Sequence, residues 1–181
     1  MKKRTMALLA AVLLVVGVAI GGTLAWLTAT SDTVTNTFTT SDIKITLDES
    51  KGGADHNFKM IPGYTIEKDP KVKVIEGSEA CFLFVKLEKS LNFDTYMTYE
   101  MADGWTALPE VSDVYYREVT SPAEYDVLKG NQVTVKGTVT STDMKAAETT
   151  KLTLTVSAYA SQLYKNNTEK FSATEAWANI N

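Results

Sequence analysis

The sequence predicts an all-β protein, a β-sandwich with a short C-terminal helix that is preceded by an N-terminal signal-peptide helix. About seven short segments rich in β-branched and aromatic residues follow one another between turn residues, without a long amphipathic helix. The same region shows no repeat of fixed period, which argues against a solenoid. The first 25 residues, in contrast, have the composition of a secretory signal.

The predicted signal peptide covers residues 1–25. It has a cationic start, an apolar run and a cleavage site of the A-x-A type, at residues 2–4, 6–20 and 23–25. The apolar run is about 15 residues long, whereas a membrane-spanning helix needs ~20. We therefore expect cleavage between Ala25 and Trp26. The alternative is an uncleaved N-terminal anchor, because Trp26 and Leu27 lengthen the run.

Removal of the signal makes the chain more acidic. Loss of Lys2, Lys3 and Arg4 from 18 basic residues leaves 15, against 22 acidic ones, so the side chains of the exported part sum to −7. Such a surface disfavours nucleic acid and anionic lipid as partners, and we expect membrane contact only through the uncleaved signal. The roughly 155 remaining residues suffice for one domain with its own core.

The first half of the exported chain alternates strands with turns. The predicted elements are a strand within residues 33–48, a polar loop at 49–57, a type II turn at Pro62-Gly63, a strand around Val72 and Val74, a turn at 76–78 and a strand at 80–87. In the first of these, Ile43, Ile45 and Leu47 alternate with polar residues, which predicts one buried face.

The strand at residues 80–87 is the most apolar segment of the exported part. Phe82 and Phe84 face one way, and the set that begins with Cys81 and Leu83 faces the other. Apolar residues on both faces predict a central strand covered on at least part of both sides. Cys81 is the only cysteine, so no intrachain disulfide can form. We expect a buried, inert thiol, the alternative being a reactive or cross-linking one.

The second half continues the β pattern and ends in a helix. We predict a hairpin-type turn at Asp103-Gly104, strands at residues 113–119, 133–139 and 151–160, and a loop or short helix at 141–148. Ser172 and Glu175 have the spacing of a capping box that opens the final helix. Trp177 is expected to dock this helix on the sheet.

The residues required by common enzymes are largely missing. His56 is the only histidine, which excludes a zinc hydrolase of the two-histidine helix type, and a Ser-His-Asp triad would need this loop residue as its base. Asp48, Glu49 and Asp55 lack the ligand alternation of an EF-hand, so we expect solvated charges, with a weak calcium site left open. We predict no catalytic, metal-binding or cofactor-binding residue and no enzyme activity.

Three stretches of the chain resemble the TasA/camelysin-like family of secreted proteins from Gram-positive bacteria. They are the junction at residues 21–28 with 36–39, the Pro-Gly segment at 61–70, and the closing segments at 158–162 and 172–177. The resemblance implies a jelly-roll-like sandwich, export with a SipW-type signal peptidase, and a place in the extracellular matrix or at the cell surface. It also implies a role as a subunit of biofilm fibres, built with itself or with a related matrix protein.

The resemblance further implies that the segment following the cut is donated as a strand to the next subunit. The anchors of this assembly strand are Trp26, Leu27, Val34 and Phe38, within a segment rich in threonine and valine that suits backbone pairing with a sheet edge. Head-to-tail donation does not close on itself and so builds a filament. The alternatives are a disordered leader and an intramolecular edge strand.

These inferences divide the chain into a signal peptide at residues 1–25, an extended segment at 26–40 and a β-sandwich domain at 41–181. Two alternative functions stay open. Some members of the family carry a metallo-endopeptidase label, which the single histidine does not support. A monomeric binding module at the cell surface is the other. Strand order, the partner, and a choice between building and capping a fibre do not follow from the sequence.

Overall fold

The computed structural model describes residues 42–50, 60–149 and 151–180, all within one compact unit, Thr40–Asn181. The strands are β1 (Ile45–Asp48), β2 (Thr65–Glu67), β3 (Lys71–Val74), β4 (Cys81–Lys89), β5 (Met97–Thr98), β6 (Thr106–Ala107), β7 (Val114–Val119), β8 (Glu124–Asp126), β9 (Gln132–Val135) and β10 (Leu154–Gln162). The helices are α1 (Phe93–Tyr96), α2 (Ser141–Thr149) and α3 (Ala173–Ala178), and a 3-10 turn covers Lys129–Asn131. The predicted all-β class is confirmed.

The described strands form three antiparallel sheets around β4. Their orders are β1-β3-β8, β10-β4-β7-β6 and β2-β9-β5. One face of β4, which carries Cys81, Leu83, Val85 and Leu87, is fully buried in a core that also receives residues from the other two sheets. Val72 from β3 and Val135 from β9 are examples. A single apolar core therefore joins all three sheets.

The first half of the other face of β4 is buried as well, in a smaller aromatic cluster. Phe82 and Phe84 lie there beneath α3, and the Trp177 ring centroid is 5.2 Å from that of Phe84 and 5.4 Å from that of Tyr159. The predictions of a strand covered on both sides, a buried cysteine and a docking tryptophan are confirmed.

The final helix begins with the predicted capping box. The Glu175 N–H donates to Ser172 Oγ at 3.2 Å, and the Ser172 N–H donates to Glu175 Oε2 at 2.8 Å. Lys165 Nζ donates to the other carboxylate oxygen at 2.9 Å. These bonds satisfy N–H groups that the first turn of a helix leaves without partners. The segment at 141–148, left open between loop and helix, is helical as α2.

Two predicted turns have different outcomes. At Pro62-Gly63, the Tyr64 N–H donates to the Ile61 carbonyl at 2.9 Å and Gly63 has φ of +75°, as a type II turn requires. At Asp103-Gly104 the turn is also present, with φ of +88° at the glycine. The hairpin reading there is wrong, because β5 and β6 belong to different sheets and the chain crosses between them.

The described end of the first predicted strand is less buried than expected. The described part of it begins at β1, and residues 33–41 lie outside the described ranges. Ile43 and Ile45 pack against the core, but Leu47 is 37% exposed. Among the described strands β1 pairs with β3 alone, and the core contacts of its inward face reach Ile45 but not Leu47.

Truncation of a β4 side chain measures the contribution of the central strand. Leu83 is completely buried, so Leu83→Ala should lower the free energy of unfolding by about 2–5 kcal/mol through lost burial and a new cavity. Leu91 is fully exposed and serves as the matched control. We expect Leu91→Ala to change stability by no more than about 0.5 kcal/mol in urea unfolding. Equal effects of the two substitutions would contradict the assignment of β4 to the core.

The capping box predicts a pH dependence of α3. The hydrogen bond from Lys165, with those from Ser172, lowers the pKa of Glu175 from its usual 4.5 to about 2. A depressed carboxylate pKa stabilises the folded state above the pKa of the unfolded chain, and this contribution disappears as pH falls from about 4.5 towards 2. An NMR titration of the Glu175 carboxyl should therefore give a midpoint near 2, whereas one near 4.5 would show that the box is not formed. Glu175→Gln should remove this titration.

Candidate assembly edge

The predicted site residues fall outside the part of the chain that the structure describes. This holds for the cleavage pair Ala25 and Trp26 and for the assembly-strand anchors Leu27, Val34 and Phe38. It also holds for His56 and Asp55. These assignments stay predictions. The described residues supply instead the surface on which an added strand would pair.

That surface is the outer edge of β10. This strand pairs with β4 over its whole length, from Leu154 opposite Lys89 to Gln162 opposite Cys81. On its other side no described strand is hydrogen-bonded to it. At nine residues, β10 is as long as the central strand itself. A long row of backbone groups therefore lies at the end of the four-stranded sheet.

The register shows which backbone groups of β10 point outward. Just beyond its two ends, the Ser90 N–H donates to the Thr153 carbonyl at 3.0 Å and the Leu163 N–H donates to the Ala80 carbonyl at 3.1 Å. In an antiparallel pair, hydrogen-bonded residues alternate with residues whose N–H and C=O point away from the partner. The odd-numbered residues therefore bond β4. The outward groups belong to Leu154, Val156, Ala158, Ala160 and Gln162.

The side chains of most of these residues turn towards the core. Leu154, Val156, Ala158 and Ala160 point into the main core and are partly buried there. Small alanine side chains sit at the centre of the edge, and the opposite face carries Thr155 and Ser157. The alternation of the sequence thus places apolar side chains inward while the backbone groups remain at the edge.

β10 also lacks the features that normally protect an edge strand. Its sequence, LTVSAYASQ, contains no charged residue, proline or glycine. The other edge strands among the described residues are short or charged: β5 and β6 have two residues each, β1 ends in Asp48, β2 contains Glu67 and β8 contains Glu124 and Asp126. Charge, shortness and proline are the usual means by which proteins prevent edge-to-edge pairing.

The chain enters its described part close to one end of this edge. The Glu79 N–H donates to the Asp42 carbonyl at 3.2 Å, and the Lys44 N–H donates to Ser78 Oγ at 3.0 Å. Glu79 lies two residues before β4, whose first residue pairs with Gln162 at the end of β10. β1 also passes beside β10. Asp42 follows the predicted donor segment. It therefore lies near the C-terminal end of β10, at Gln162.

Two charged residues near the loop where a weak calcium site was left open, Glu49 and Asp69, have partners within the protein. Glu49 accepts a hydrogen bond from Lys68 Nζ at 2.9 Å, and both side chains are largely buried. Ser50 donates its N–H and hydroxyl to Asp69 at 3.0 and 2.6 Å. Glu49 is thus a partner in an ion pair, and the expectation of a solvated charge is wrong at this position because Lys68, between β2 and β3, lies beside it.

The described residues contain no other centre with an evident chemistry. Within them, no group of three or more His, Cys, Asp or Glu side chains could hold a metal ion. Burial raises the pKa of the Cys81 thiol to about 11, so it stays protonated at neutral pH. No helix in the described ranges is long and apolar enough to cross a membrane.

Sequence reasoning identified β10 as a strand but not as an edge. Strand order depends on contacts between segments distant along the chain, such as Leu87 with Val156. The absence of charged residues over the nine residues of β10 was the one feature of the sequence that could have marked it as an edge open to pairing. Comparison of the chain with protein-family models, with curated proteins and with solved structures gave no match.

Proposed function

We propose that this chain is an exported structural protein that assembles into extracellular matrix fibres. In each contact, the N-terminal segment of one subunit adds a strand to β10 of the next. The observation that carries the proposal is the long, uncharged edge of β10, with which no other described strand pairs. The resemblance of the N-terminal junction and the Pro-Gly segment to the TasA/camelysin-like family supports the same reading.

The three antiparallel sheets support a jelly-roll-like sandwich as the finer description of the fold. The sheet that contains β4 contributes one layer of the core, and β3 and β9 contribute residues from the opposite side. In such an architecture, added strands extend an existing sheet without disturbing the core. The acceptor subunit would therefore be complete and folded before assembly.

Backbone hydrogen bonds would supply much of the affinity. The five outward residues of β10 offer N–H and C=O groups to an extended segment, and each net hydrogen bond contributes about 0.5–1.5 kcal/mol. The proposed donor, residues 26–38, is rich in threonine and valine, which favour extended structure. Trp26, Leu27, Val34 and Phe38 would add apolar contacts that fix its register.

Donor and acceptor are different surfaces of the same chain, so their pairing is heterologous. Repetition of a heterologous contact that does not close produces a filament. The donor segment of the first subunit and the β10 edge of the last would stay free at the two fibre ends. A related matrix protein with either surface could join the fibre there.

Signal-peptide cleavage would control this assembly. Before the cut at Ala25, the donor segment is joined to the apolar run at residues 6–20, which is inserted in the membrane during export. A SipW-type signal peptidase would release Trp26 as the new N-terminus. The metallo-endopeptidase alternative has no supporting observation among the described residues, and a monomeric binding module is the expected result if the tests below fail.

The role of the donor segment is tested with two proteins that differ in their first residue. Protein beginning at Trp26 should form fibres visible by electron microscopy, and protein beginning at Ser41 should remain monomeric because it lacks the donor. Sedimentation measures the monomer fraction of each. Equal assembly of the two proteins would refute strand donation, and failure of both would favour the binding module.

The role of β10 as the acceptor edge is tested by substitutions in this strand. Ala158→Pro removes an outward N–H that β4 does not use, so the fold should survive while fibre formation falls at least tenfold. Ala158→Ser keeps this N–H and is the matched control, with assembly close to that of the parent. Circular dichroism verifies that both variants are folded. Normal fibres from a folded Ala158→Pro protein would exclude β10 as the acceptor.

A further inference from the structure

Arg117 occupies an unusual position for a charged residue. It lies in the middle of β7 opposite Leu83, so its side chain leaves the sheet on the side of the main core. Neighbouring residues on this face, such as Val119 and Tyr115, belong to that core. Arg117 and Arg4 are the only arginines of the sequence. A guanidinium has therefore been placed where the strand pattern favours an apolar side chain.

Two aromatic rings hold the guanidinium. Its central carbon lies 3.8 Å from the Tyr125 ring centroid and 5.3 Å from that of Trp105. The indole is fixed in turn, since Trp105 Nε1 donates to the Asp126 carbonyl at 2.8 Å. We call these three side chains the arginine stack. Its residues come from β7, from β8 and from the position preceding β6, so the folded sheets determine its geometry.

Gly104 completes the surroundings of the stack. A Cβ atom at this position would lie 2.7 Å from Arg117 Nη2, and the residue has φ of +88°. The backbone conformation favours glycine here, and the absence of a side chain leaves room for the end of the Arg117 guanidinium. The turn before Trp105 is shaped around the arginine.

The arginine stack has no counter-ion in the described part of the chain. No carboxylate there lies within 4.0 Å of the guanidinium. Glu124 and Asp126 flank Tyr125, but alternation along β8 directs them away from it, and they pair with Lys71 at 3.7 and 3.4 Å. In a chain with more acidic than basic residues, an arginine without a carboxylate is unexpected.

The donors of Arg117 are also poorly satisfied. Its Nε is buried and has no hydrogen-bond partner, and burial lowers the pKa of the guanidinium. Stacking stabilises the charge through the ring faces but leaves the N–H groups in the guanidinium plane unused. A partly buried cation without a counter-charge is costly, and an anion that approaches the two Nη groups, which are not buried as Nε is, would offset the cost.

We propose that the arginine stack is a carboxylate-binding site. The two Nη groups at the end of a guanidinium match the two oxygens of a carboxylate in a bidentate arrangement. The carboxylate belongs either to a small organic acid or to an acidic side chain of a second copy of this chain. The site is separate from the β10 edge, which lies on the other side of β4 in the same sheet.

The small number of arginines provides a direct test. In the full chain labelled with ¹⁵N-arginine, two side-chain Nε–H signals are expected, and Arg117→Lys assigns one of them by its disappearance. Acetate, exchanged for chloride at constant ionic strength, should move the Arg117 signal along a saturable curve and leave the Arg4 signal in place. Tyr125→Leu, verified as folded by circular dichroism, should weaken acetate binding at least threefold.

A dilution series without acetate distinguishes the two sources of the carboxylate. A change of the Arg117 signal with protein concentration indicates the second copy, and a change with acetate alone indicates a small acid. Either result supports the site. If the signal does not depend on protein concentration and responds to acetate and chloride alike without saturation, the stack is a structural contact and the proposal is wrong. The test is independent of fibre formation.

Discussion

Burial of both faces of β4 is the constraint on which the rest of the structure depends. A strand with Leu83 on one face and Phe84 on the other cannot tolerate water on either side, since each buried side chain of this size contributes about 1.5–3 kcal/mol. One face packs against strands of the other two sheets, and the other packs against α3 through Trp177. Placing β4 inside its sheet in turn leaves β10 at the edge.

The distribution of charge along the sheet edges separates β10 from the others. β8 carries carboxylates on both sides of Tyr125, and these are neutralised by Lys71 across the sheet. β10 has neither charge nor proline over nine residues, although its flanks carry Lys151 and Lys165. An edge of this kind is a liability for a monomer in isolation, because unpaired backbone groups promote association. It becomes useful when a specific partner strand covers it.

Local patterns predicted those parts of the fold that depend on neighbouring residues. The Pro62-Gly63 turn and the Ser172 capping box follow from φ preferences and hydrogen bonds within four residues. Strand order could not be predicted in the same way, because it depends on packing between distant segments. The hairpin expected at Asp103-Gly104 failed for this reason, since the turn chemistry was right but the flanking strands joined different sheets. The arginine stack could not be predicted from the sequence, because Trp105, Arg117 and Tyr125 come together only in the folded chain.

If subunits assemble through β10, the backbone amides of this strand should report the pairing directly. Hydrogen exchange of Val156, Ala158 and Ala160 should be fast in monomeric protein, because their N–H groups point away from β4, and slow in fibres. The alternate amides of Ser157 and Tyr159 bond β4 and should be protected in both states. Protection of the even-numbered amides on fibre formation is the predicted result. Fibres in which these three amides exchange as fast as in the monomer would show that β10 is not the assembly edge.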